Sequence, residues 1–236
     1  PFIIYLPIYF HVVLGYDNVQ TGLALLAYTL PTLFIPPLAE RLAQRWQPGI
    51  VIPLGMLTIG VSFVLMKIGS VSSQPGWLIL PGCIVAGIGL GLTNTTTTNT
   101  ITASVTAERA GMASGADTSA RMISLAFNIA MMGFVLVQGV MANLRNVLQI
   151  PETAELRQLA EKIATGDMSA AQQSSALLAD ITAPQETINA ALVEGFGWVM
   201  MYGAISVFVL ALLSFCVFAP SKATRCDDCV TSRQSA

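Results

Sequence analysis

The chain is divided by apolar runs long enough to cross a bilayer and nearly free of charge. Phe196–Phe218 is uncharged from end to end, and Gly49–Ile68 carries only Lys67, near its far end. A helix rises about 1.5 Å per residue, so about 20 apolar residues cover the hydrocarbon core. Gly22–Ala39, Trp77–Leu92 and Ala120–Met141 meet or approach that length, and Phe2–Leu14 reads as the end of a longer span. Lipid offers the backbone no hydrogen bonds, so runs of this kind must be helical. Composition agrees: of 236 residues, 54% are apolar and 10% charged, against roughly 25% charged in soluble domains. Mean hydropathy is +0.68. This rules out an ordinary soluble enzyme and a disordered chain, and a net charge of −2 rules out a basic nucleic-acid binder. The expected fold is an all-α membrane protein of six transmembrane helices, the first one truncated.

Prolines 7, 31, 36, 37, 53 and 81 lie within or beside the runs, where spanning helices tolerate them if neighbours satisfy the freed carbonyls. Trp46, Trp77 and Trp198 fall at run ends, as interfacial tryptophans do. Basic residues set the orientation. Arg41, Arg45, Arg109, Arg121, Lys222, Arg225 and Arg233 fall on one side, against Lys67, Arg145, Arg157 and Lys162 on the other. The first side is expected to be cytoplasmic, with the C-terminus on it. Residues 1–141 then hold spans one to five and 142–194 an extracytoplasmic connection. Residues 195–219 form the last span and 220–236 a cytoplasmic tail. The connection carries Glu152, Glu155, Glu161, Asp167, Asp180, Glu186 and Glu194, with Leu156, Leu159 and Ile163 at helical spacing. It reads as two or three short amphipathic helices, the first opened by Pro151-Glu152.

Few residues carry chemistry. Asp117 and Arg121 are four apart near the cytoplasmic entry to the fifth span, so they share a helix face and can pair. An ionisable pair at depth is a functional candidate, although a mutually neutralised structural bridge has the same spacing. Asn128 follows on that face. Thr93-Asn94-Thr95-Thr96-Thr97-Thr98-Asn99-Thr100 reads as a polar turn after the fourth span, with Asn94 a candidate to line a wet cavity. His11, near the outer end of the first span, is the residue type that exchanges protons near neutrality; a relay and a satisfied interfacial ring both fit it. Glu40 beside Arg41 and Arg45 fits a cytoplasmic charge latch or a plain positive-inside anchor. Gly87 and Gly91, four apart, allow another helix to approach closely. Cys226 and Cys229 form a lone CxxC without a second ligand pair, so no metal site is expected.

These residues together resemble the C-terminal six-span half of a major facilitator superfamily transporter, most of all its fourteen-span drug:proton antiporter branch. The resemblance rests on Leu6-Pro7-Ile8-Tyr9, Leu14-Gly15-Tyr16, Thr21-Gly22-Leu23-Ala24-Leu25-Leu26 and Gly87-Ile88-Gly89-Leu90-Gly91-Leu92. Its most specific part is Ala110-Gly111-Met112-Ala113-Ser114-Gly115 followed by Arg121. A long outer loop before the last span also fits. In Leu38–Arg45, Glu40 stands where the family's cytoplasmic loop has aspartate, and Ala43 where it has glycine. His11 replaces a frequent glutamine, and Ser124 an expected glycine. The resemblance implies a half-bundle that needs the missing N-terminal half as partner, sits in the lipid bilayer of the cell membrane (the inner one in a Gram-negative cell) and takes a small-molecule substrate. It implies multidrug efflux by proton antiport through alternating access, with the proton as coupling ion and no cofactor. A different cargo such as a sugar, peptide or siderophore, or a non-transporting scaffold or sensor, is the alternative. Asp117, Arg121, Asn94, Asn128 and His11 are the candidates for the substrate and proton path. A single histidine and few deep carboxylates argue against a membrane enzyme.

Overall fold

The structure is a computed structural model that describes residues 2–46, 48–71, 75–148, 154–166 and 184–218. Within them every regular element is a helix. The first is α1 (Phe2–Ile8), which continues as a π-helical turn over Tyr9–Val13. It is followed by α2 (Asn18–Phe34), α3 (Pro36–Arg45), α4 (Pro48–Val71) and α5 (Pro75–Ala103). A 3₁₀ turn (Ala107–Arg109) leads into α6 (Ala110–Leu148), then come α7 (Ala154–Ala164) and α8 (Pro184–Phe218). Five segments are long and apolar enough to cross a membrane: Asn18–Ala43, Gly49–Ser70, Ile79–Ala103, Ala107–Val147 and Glu186–Val217. Phe2–Val13 is a shorter apolar helix.

Local chemistry sets the breaks. Gly15 takes a left-handed φ of +66° that turns the chain between α1 and α2. Asp17 and Gln20 then form a capping box that starts α2. Pro36 and Pro37 occupy the first turn of α3, where their missing N–H groups cost nothing, and separate it from α2.

Three elements differ from the sequence reading. The threonine run is not a turn but the last third of α5. Thr93, Thr100 and Thr102 each donate their hydroxyl to the carbonyl four residues back, which satisfies those three hydroxyls within the helix. The fifth span begins ten residues before Ala120 and continues past Met141. Among the described residues of the 142–194 connection, its start belongs to α6, its end belongs to α8, and α7 is a short helix between them. Ile188, Ala191 and Leu192 are fully buried at helical spacing, so the apolar stripe carries α8 well beyond the lipid-spanning part. The Pro151-Glu152 start, Asp167, Asp180 and the tail with Cys226 and Cys229 lie outside the described residues.

The helices form a curved row, α2–α5–α4–α8–α6, with α7 on the far end of α6. Neighbours α4 and α5 run antiparallel: a Cβ on Gly82 would meet Met66 Cγ at 2.6 Å, and one on Gly89 would meet Ile59 Cγ1 at 2.7 Å. On a second face of α5, Gly87 lies against the Tyr28 carbonyl and Gly91 against Ile35, so α2 approaches at backbone distance. Inside the curve lies α1. Phe2 meets Phe63 edge-on at 5.1 Å, Tyr9 meets Phe196 at 5.1 Å, and the Tyr5 hydroxyl donates to the Ile129 carbonyl at 2.9 Å. Only 11% of the spanning window of α2 is buried. Val19, Leu23, Leu26, Leu30 and Leu33 form one exposed stripe along it, an arrangement stable in lipid but not in water.

Candidate functional site

Although they are consecutive, α5 and α6 share only a short seam. Polar side chains hold it at the end of the bundle that also carries α3. Arg121 Nε lies 3.0 Å from both carboxylate oxygens of Asp117, one turn earlier on α6. Its Nη1 donates to Asn94 Oδ1 at 2.5 Å and its Nη2 to Thr98 Oγ1 at 2.9 Å, both on α5. One guanidinium thus joins a carboxylate on its own helix to an amide and a hydroxyl on the next. The planar guanidinium presents its N–H donors at fixed angles from three nitrogens and so holds all three groups in one plane, whereas an ammonium acts as a compact, rotatable point charge. The Asp117 side chain is 13% exposed and that of Arg121 32%, so the pair is partly withdrawn from solvent.

Depth adds to the significance. With 39 residues, α6 is about 58 Å long, nearly twice the roughly 30 Å hydrocarbon core. Arg121 sits about 16 Å along it, where the apolar stretch from Met122 to Leu144 begins. The cluster therefore lies at the entry to the lipid-spanning part. A shallow groove of about 350 Å³ runs from it along α6, lined by Ala120, Arg121, Ser124, Leu125 and Asn128. Asn128 donates to the Ser124 carbonyl at 2.9 Å and lies on the groove rather than in the cluster.

The other sequence candidates lie apart. His11 sits at the opposite end, in the π-helical turn, with Nδ1 2.9 Å from the Tyr16 carbonyl oxygen. Glu40, Arg41 and Arg45 are exposed on α3. Arg41 and Arg45, four apart, line one groove with Leu38 and Leu42, while the position of Glu40 directs it to another face. Among the described residues the ion pairs are Arg121–Asp117 and Arg157–Glu161, so none engages Glu40. A Cβ on Gly111 or Gly115 would meet nothing within 4 Å. Sequence reasoning did not single out Thr98. Its signal was the spacing of four from Asn94, which places both on one face of α5.

The Major Facilitator Superfamily profile matches residues 2–141. The chain is similar to the uncharacterized transporter YebQ of Escherichia coli, 32% identical over 133 residues, which cover 56% of this chain and 29% of that protein. It is also similar to the multidrug resistance protein Stp of Mycobacterium tuberculosis, 30% identical over 151 residues, which cover 63% of this chain and 28% of that one. The chain thus matches less than a third of the length of these relatives. No solved structure matches it at a significant level.

Proposed function

The chain belongs to the major facilitator superfamily, and on that premise we propose that it is the C-terminal half of a carrier exporting small amphipathic or cationic compounds in exchange for protons. One observation carries this reading: the Arg121 guanidinium bridges Asp117 to Asn94 and Thr98 across an otherwise short helix seam. The likeness to a protein named for multidrug resistance supports the cargo class.

Alternating access requires contacts that differ between two states, since a ligand shifts an equilibrium only by its differential affinity for them. A proton added to Asp117 cancels the charge that faces Arg121. The guanidinium is then no longer fixed by a charge on its own helix and is free to turn on its two neutral acceptors on α5, so its orientation at the seam changes. Loss of the proton restores the carboxylate and locks that orientation again. Coupling of about 1–3 kcal/mol is typical between linked sites, and one charge-assisted contact supplies that much. The groove beyond Arg121, with Ser124 and Asn128, offers polar contacts for a cargo beside the apolar face of α6. The end with Arg41, Arg45 and Arg109 faces the cytoplasm in this reading, because seven basic residues outweigh four.

The test uses the full-length carrier in proteoliposomes with an imposed pH gradient and ethidium as cargo. Ethidium movement driven by the gradient, and abolished by a proton ionophore, is the expected result. Movement indifferent to the gradient would overturn proton antiport.

A further inference from the structure

A groove between α4 and α8 lies at the end of the bundle opposite Arg121. It measures about 540 Å³, and its walls, including Phe63, Val64, Met200, Met201 and Ala204, are almost wholly apolar. The exception is Lys67, which also lines it. A cation within a spanning helix ordinarily pairs with a carboxylate or a carbonyl. Lys67 takes part in neither ion pair found among the described residues, and its Nζ donates at 3.7 Å to Met201 Sδ, a weak acceptor.

The depth of this cation is specific. Lys67 is four residues from the end of α4 at Val71. Across the groove, Met201 is one turn from Trp198, a half-exposed indole that donates to Glu194 Oε1 at 3.2 Å. Tryptophans in that setting mark the level where hydrocarbon meets headgroups. An ammonium therefore stands at headgroup depth over an apolar trough that runs inward past Phe63 and Ala204.

We propose that this groove is a site for one phospholipid, with its phosphate on Lys67 and an acyl chain in the trough. The charge selects against a cationic cargo. The trough selects against inorganic phosphate, which has nothing to place there.

Native mass spectrometry of the delipidated intact protein, titrated with palmitoyl-oleoyl-phosphatidylglycerol, tests this. Dioleoylglycerol, which has acyl chains but no phosphate, is the control. The intact protein should hold one phosphatidylglycerol at least tenfold more tightly than the diacylglycerol. Lys67→Gln should weaken that binding about tenfold, as expected for loss of a charge-assisted contact, and Lys67→Arg should retain it. Ala204→Trp, which fills the trough and leaves Lys67 in place, should abolish it. Helicity by circular dichroism identifies misfolded variants, and the diacylglycerol comparison on unmutated protein stands without them. The proposal fails if diacylglycerol binds equally well, if Lys67→Gln changes nothing, or if the intact protein retains no phosphatidylglycerol because another part of it covers the groove.

Discussion

Replacing Arg121 with alanine removes the fork that holds α5 to α6 and leaves Asp117, only 13% exposed, without a partner. A hydrogen bond to a charged group contributes about 1.5–3 kcal/mol net. Two neutral acceptors on α5 are lost as well, so Arg121→Ala should cost about 2–4 kcal/mol. About half of that is the penalty of an uncompensated carboxylate rather than the value of the contacts. Asp117→Ala should cost less, about 1–2 kcal/mol, because Arg121 keeps Asn94 and Thr98 and reaches solvent over about a third of its surface. The double variant, which removes both charges, should then be more stable than Arg121→Ala alone by about 1–2 kcal/mol, which requires a coupling energy of about 2–4 kcal/mol, larger than the cost of Asp117→Ala itself. Equilibrium unfolding in mixed detergent micelles, followed by tryptophan fluorescence, reads these differences. Strict additivity of the two single variants, or a cost for Arg121→Ala below about 0.5 kcal/mol, would refute the bridging role.

Two further outcomes follow from the packing. A Cβ on Gly87 would collide with the Tyr28 carbonyl, whereas one on Gly111 would meet nothing; Gly87→Ala should therefore destabilise the protein by about 1–3 kcal/mol, and Gly111→Ala should leave the unfolding midpoint nearly unchanged. Three spanning helices, α4, α5 and α6, separate Arg41 from Glu155. In a background without native cysteines, Arg41→Cys and Glu155→Cys should react with a membrane-impermeant maleimide from opposite faces, and labelling of both from one face would contradict the fold.

Much of this was legible in the sequence, because lipid permits few solutions. Charge-free runs had to be helices, and a spacing of four put Asp117 within reach of Arg121. Helix ends were harder to read. Apolarity locates the part of a helix inside the bilayer, but α6 and α8 continue where burial against other helices replaces lipid, as at Ile188, Ala191 and Leu192. The threonine run misled for a different reason. Threonine is a poor helix former in water, yet here its hydroxyls bond back to their own helix. The meeting of Asn94 and Thr98 with Arg121 depends on the register between α5 and α6. Side chains far apart in the chain set that register, and no local pattern records it.

Transport itself gives the most direct test of the proposed role of this cluster. In proteoliposomes with an imposed pH gradient, Asp117→Asn keeps the shape of the side chain and removes the charge that a proton would cancel. Gradient-driven ethidium efflux by this variant is expected to fall at least tenfold, or about 1.4 kcal/mol in the coupled step, while ethidium binding persists. Efflux at the unmutated rate, with the same dependence on the gradient, would contradict a coupling role for Asp117.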